Sequence, residues 1–141
     1  MVAAFPTAAS AETLVPLLIN ETAITMIDMD SIRTTGEMKR AWVYVGLPRD
    51  REGTAYTGAF VEFDCAEGRY RTINRKSFDI RGRITSEERD ATSWNVGLPV
   101  SPATSAMSAV CEDGYSLSAA LPGYSVLQLV EQYRRMAATR G

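Results

Sequence analysis

Apolar and polar positions alternate with a period of two through the first hundred residues, and a period near 3.6 replaces it afterwards. Leu14 to Asn20 predicts a first strand, with Pro16 pointing to a sheet edge. Thr22 to Met29, β-branched and apolar, predicts a second. Asp30 to Gly36 reads as a turn in which Gly36 supplies a positive φ. Met38 to Leu47 predicts a third strand, with Ala41, Val43 and Val45 on one face and Trp42 and Tyr44 on the other. Pro48 to Gly53 reads as a solvated loop. Thr54 to Asp64 predicts a fourth strand: Ala59, Val61 and Phe63 share a face with Cys65, while Phe60, Glu62 and Asp64 share the opposite one. Ala66-Glu67-Gly68 turns the chain into a fifth strand, Arg69 to Ile80. Gly82 suggests a bulge or bend, Arg83 to Thr85 a short sixth strand, Ser86 to Asp90 a charged loop, and Trp94 to Val100 an extended segment.

Helix signals then take over. Ser101-Pro102 has an N-cap residue followed by proline at the first helical position. Ala103, Met107 and Val110, with Ala106 alongside, make a narrow apolar stripe, and Gly114 is a stop signal. Ser125 to Gln128 has the form of a capping box. It opens a second helix whose apolar face is Val126, Leu129, Val130, Tyr133 and Ala137, with Arg134, Arg135 and Arg140 toward the negative end of its dipole. Strands first and helices last predict an α+β fold: a mostly antiparallel sheet of about five or six strands with one or two C-terminal helices packed on one face.

Composition narrows the function classes. The 141 residues suit one domain, and 45% hydrophobic with 23% charged residues is ordinary globular composition. A net charge of −2 gives no global preference for nucleic acid or anionic membrane. No apolar run is long enough for a transmembrane segment. Histidine is absent, which removes the most used acid–base side chain and the commonest metal ligand. No metal site, cofactor or catalytic residue is expected. Val2 to Ala11 is small and apolar, and Ala9-Ser10-Ala11 has the small-x-small form of an export cleavage site. Residues 1–11 therefore read as a signal-peptide remnant or disordered N-terminus, ahead of a single domain over 12–141.

Two cysteines, Cys65 and Cys111, allow one intramolecular bond between the fourth strand and the end of the first helix. Closing that loop of about 47 residues is worth about 4 kcal/mol on the chain-entropy model. Two buried free thiols are the bland alternative. A redox pair is a third, without the Cys-x-x-Cys spacing such pairs use.

Asp28 leads to Ser31-Ile32, Gly36 and the Trp42-Val43 strand. Val61-Glu62-Phe63-Asp64-Cys65 and Arg69-Tyr70-Arg71 follow, then Trp94, Pro99, Ser101 and a helix ending Ala109-Val110-Cys111. In this order the residues resemble the surface-adhesin protein E-like domains of Gram-negative bacteria; the resemblance covers 28–111, leaving 112–141 as a C-terminal helical extension. It implies an antiparallel sheet with a helix held across one side by a disulfide. It also implies an exported protein, periplasmic or at the cell surface, with an adhesive role.

The densest charge feature is Arg69, Arg71, Arg75, Lys76, Arg81 and Arg83: six bases against one acid, Asp79, within 15 residues. A regular strand places Arg69, Arg71 and Arg75 on one face and Tyr70 and Phe78 on the other. Such a patch suits an unknown protein or anionic glycan; alternatively it is a solvated face neutralised by Glu62, Glu67 or other acids. Asp28 and Asp30 read as caps of a turn, and Trp42 and Trp94 as core aromatics or ligand platforms. Val126, Leu129, Val130 and Tyr133 either cover the sheet or form an interaction helix. The expected function is a non-catalytic, exported binding or adhesin-like domain. The alternative is a periplasmic structural or assembly accessory protein acting through its C-terminal helix.

Overall fold

A computed structural model describes residues 13–96, 101–112 and 121–139. The expected signal remnant at 1–11, the stop at Gly114 and the basic Arg140 lie outside them, as does the end of the extended segment at Val100. The strands are β1 (Thr13–Ile19), β2 (Ile24–Asp28), β3 (Arg33–Thr35), β4 (Met38–Arg51), β5 (Thr54–Asp64), β6 (Arg69–Phe78), β7 (Ile84–Glu88), β8 (Asn95–Val96) and β9 (Leu121–Pro122). The helices are α1 (Pro102–Cys111) and α2 (Val126–Thr139). All described strands join one antiparallel sheet in the order β7-β6-β5-β4-β2-β1-β9, with β3 added to β4 and β8 to β6. Six have five or more residues, the count the alternation predicts; β3, β8 and β9 are two or three residues long.

The two helices lie against opposite faces of this sheet. Leu14, Ile24, Met26 and Tyr56 pack with Val126, Leu129, Val130 and Tyr133 of α2. Their alternates Val15 and Ile27, with Ala41, Val43, Val61 and Phe63, pack with Ala106, Ala109 and Val110 of α1. Central strands thus bury both parities, as in β2, where all five residues are buried. Fully burying a Leu, Val or Phe side chain contributes about 1.5–3 kcal/mol.

Local chemistry sets the helix ends. The Ser101 hydroxyl accepts from Thr104 N at 3.1 Å and starts α1. Ser125 Oγ accepts from Gln128 N at 3.1 Å while Gln128 Oε1 accepts from Ser125 N at 2.8 Å, the reciprocal capping box the spacing predicts. At the other end of α1, Lys39 Nζ donates to the Val110 carbonyl. The Cys65–Cys111 disulfide is formed, with Cα atoms 5.7 Å apart. It ties the turn after β5 to the last residue of α1.

Several expectations change. Pro48 to Arg51 is not loop but the end of β4, and the hairpin closes through Glu52 and Gly53, both with positive φ. That two-residue turn matches the twist of its strands. Pro48 is tolerated because β2 has already ended opposite Gly46, so no ladder donor is needed there. The sixth strand runs on through Glu88, while Gly82, with a positive φ, forms the expected bend ahead of it. Arg134 does not serve the helix dipole. Its Nε donates to the Leu47 carbonyl at 2.9 Å and its Nη2 lies 2.9 Å from Asp50, which pins α2 to the extended β4. Asp28 caps as expected, accepting from Asp30 N at the start of a short 3-10 turn. Its burial there raises its pKa against those backbone bonds.

Candidate functional site

Alternation along β4 and β5 sorts side chains between the two faces. Arg40 stands opposite Glu62, Trp42 opposite Phe60, Tyr44 opposite Gly58, and Gly46 opposite Tyr56. These share the α2 side of the sheet, but α2 packs only toward the Gly46 end, where a Cβ on Gly46 would meet Val130. The remaining half of that face carries Arg40, Trp42, Phe60, Glu62 and Asp64.

Strand β6 adds to it through an irregularity that alternation does not reveal. Asp64 pairs with Arg69, Glu62 with Arg71, and Val61 with Thr72; Phe60 then pairs with Asn74, leaving Ile73 as an extra residue. One extra residue reverses the parity of everything after it. Lys76 and Phe78 therefore join Arg69 and Arg71 on one face, and Arg75 turns to the other. The expected grouping of Arg69, Arg71 and Arg75 is corrected accordingly. Arg75 lies 3.9 Å from Glu88, both well exposed. Arg81 and Arg83 fall in the β6–β7 turn, where Asp79 accepts both their backbone N–H groups and the Nε of Arg83. Those bonds, Arg83's foremost, hold the Asp79 carboxyl below its ordinary pKa.

The face is built on two buried carboxylates. Glu62, 5% exposed at its side chain, accepts from Arg40 Nε at 2.9 Å on one oxygen and from Arg71 Nε at 2.8 Å on the other. Burial alone would raise its pKa; the two guanidinium bonds and charges outweigh that and lower it. Asp64, equally buried, accepts from Arg69 Nε at 3.0 Å and from the backbone N–H of Glu67 in the turn. The neutralised face is thus correct for Glu62, whereas Glu67 contributes only its backbone.

Aromatic rings hold the cations from the side. Arg69 and Arg71 lie 4.7 and 4.6 Å from the centroid of Trp94. Lys76 Nζ lies 5.1 Å from the centroid of Trp42, which stacks on Phe60 at 5.2 Å and Tyr44 at 6.1 Å. Each contact of a cation with a ring contributes about 0.5–1 kcal/mol at exposed sites. Both tryptophans are half-buried supports of cations. On β7, Glu87 stands opposite Lys76 and is ion-paired with Arg89. Among these paired groups, the bases Arg40, Arg69, Arg71, Lys76 and Arg89 outnumber the acids Glu62, Asp64 and Glu87 by two.

Sequence reading missed Arg40, although its parity with Trp42 was visible. It also missed the pairing of Trp94 with two arginines, which needs β8 beside β6. Val126, Leu129, Val130 and Tyr133 come together as the buried side of α2. They are therefore not the exposed contact surface that an interaction helix requires. Among the described residues no cluster of acidic or cysteine side chains has metal-binding form, and no helix is long and apolar enough to cross a membrane.

The other face holds a shallow apolar cleft of about 140 Å³ between α1 and strands β4 to β6, lined by Val43, Ala59, Val61, Tyr70, Ala103 and others.

A family model described as surface-adhesin protein E matches residues 14–112. The match takes in β1 and β2, ahead of the resemblance noted over 28–111, and ends with α1, leaving α2 outside. No curated protein and no solved structure matches the chain.

Proposed function

The chain belongs to the surface-adhesin protein E family, and from that membership we propose that it is a non-catalytic, exported binding domain of the bacterial envelope. Its partner is an acidic glycan, bound on the half-face of Arg40, Arg69, Arg71 and Lys76. One observation carries this reading. Four cations are anchored from below or beside on the half of a sheet face that α2 leaves uncovered, with a net positive excess on an otherwise acidic chain. Immobilised side chains lose little entropy on binding, so the patch is organised before a ligand arrives. The absence of histidine from the sequence supports a binding role over acid–base chemistry.

The test is binding of the purified oxidised protein to immobilised acidic and neutral glycans at increasing salt. Affinity for acidic chains should fall steeply with ionic strength, and Arg71→Glu should abolish it. Binding that ignores salt and survives that substitution would remove the anionic partner from the account.

A second reading, an accessory protein docking through α2, would have to use the outer side of that helix. Met136 is exposed there and Tyr124 just ahead of it. It is separable, because Met136→Glu should then disrupt partner binding and leave glycan binding intact.

A further inference from the structure

Two arginines side by side normally repel, yet Arg69 and Arg71 share one indole. Strand β6 places them two positions apart, which is about 6.6–6.8 Å along a strand. Strand β8 pairs with the same end of β6, Asn95 opposite Tyr70 and Val96 opposite Arg69. That brings Trp94, the residue before β8, against both guanidinium groups. Each arginine is neutralised through its Nε by a different buried carboxylate. The Nη1 and Nη2 groups of both make no hydrogen bond among the described residues. The side chains are 41% and 34% exposed. The result is two guanidinium forks, fixed in orientation, whose terminal donors no described residue engages.

The geometry points to a sulfate subsite: Arg69 and Arg71, stacked on Trp94, bind a sulfate ester of a linear sulfated polysaccharide. This deepens the anionic-glycan reading and rests on it. A sulfate ester offers three oxygens, enough to accept from both forks at once, and charge-assisted bonds of this kind are the strong ones. Lys76 and Arg40 lie farther across the same face and supply further contacts to a chain that continues past the subsite. A peptide is less well served. Extended peptides bind by adding to a sheet edge or filling a groove. The outer edge of β6 is taken by β7 and β8, and between them Thr72 and Thr92 exchange hydrogen bonds.

The chain has two tryptophans, so Trp42→Phe leaves Trp94 as its only indole. Titrating that variant with a sulfated hexasaccharide should give a saturable change in Trp94 fluorescence. The indole N–H resonance of Trp94 should shift likewise in the unsubstituted protein. The desulfated hexasaccharide, with its carboxylates retained, should bind at least about 10-fold more weakly, the loss of one or two charge-assisted bonds. Arg69→Gln and Arg71→Gln should each weaken the sulfated ligand about 10-fold or more, and Lys76→Gln by less. Trp94→Ala should weaken it with Arg69 and Arg71 still present, as expected of a positioning residue. Thermal unfolding of each variant shows whether the domain is intact, and Arg71→Lys, which keeps the charge without the fork, should restore only part of the affinity.

Equal binding of sulfated and desulfated chains overturns the subsite while leaving the acidic-glycan reading in place. So does tight sulfated-chain binding that leaves Trp94 unperturbed. Preference for an acidic peptide over both chains, or no salt-sensitive binding to any polyanion, overturns the subsite and that reading together.

Discussion

Gly46 of β4 lies directly beneath Val130 of α2: a Cβ built on Gly46 would sit 2.7 Å from Val130 Cγ2. It would also sit 2.9 Å from Cγ2 of Ile24 on β2. The missing side chain lets α2 approach the sheet closely, so its placement depends on a residue that alternation alone treats as a gap.

Gly46→Ala should destabilise the domain by about 1–3 kcal/mol, the cost of overpacking a filled core. Combining it with Val130→Ala should cost less than the sum of the two single changes, because the Val130 methyl groups are gone and only the clash with Ile24 remains. Urea unfolding of the four proteins measures the coupling; strict additivity would mean that the helix does not rest on Gly46.

Removing residues from Tyr124 onward strips the cover from Leu14, Ile24, Met26 and Tyr56, all buried under α2. The truncated chain should lose cooperative unfolding and bind hydrophobic dyes. A truncated domain that melts as sharply as the full chain would make α2 an appendage rather than a part of the core.

Reduction of Cys65–Cys111 should raise the intact mass by two hydrogens and lower stability by about 2–4 kcal/mol. The Cys65→Ala, Cys111→Ala double variant should match the reduced protein. Its unfolding midpoint, compared with and without reductant, checks both statements, and a midpoint equal to that of the oxidised chain would deny the bond a stabilising role.

Glu62→Gln removes the charge between Arg40 and Arg71 and should cost about 1–3 kcal/mol at neutral pH, tempered by the partial exposure of both arginines. The pH dependence has a definite sign. Glu62 has its folded-state pKa lowered, so its contribution is complete above the ordinary glutamate pKa of about 4.3. It is lost as pH falls below that and passes through the folded value. Stability measured from neutral pH down into the acid range should therefore drop less steeply for Glu62→Gln than for the native chain. Parallel curves would count against the ion-paired carboxylate.

Much of the fold was legible because its signals are local. Alternation placed the long strands, Ser101-Pro102 and the Ser125/Gln128 pair placed both helix starts, and the two cysteines left one bond to make. The β4–β5 turn was misplaced because charged residues in Pro48 to Arg51 look solvated, and they are, while still forming strand. The helix pair was expected on one face; the structure places a helix on each, since β2 and its neighbours are apolar at both parities.

The strand-rich α+β class, the one possible disulfide pair and a concentration of positive charge on β6 were legible in the chain alone. Those follow from residue type and spacing, which act over a few positions. Which cations stand together depends on the folded sheet. The extra residue at Ile73 reverses the parity of β6, so Lys76 joins Arg69 and Arg71 while Arg75 leaves them. Arg40, Glu62 and Trp94 enter from three other segments. A bulge is a property of two paired strands, set by the register each finds with its partner, and no reading of one strand alone contains it.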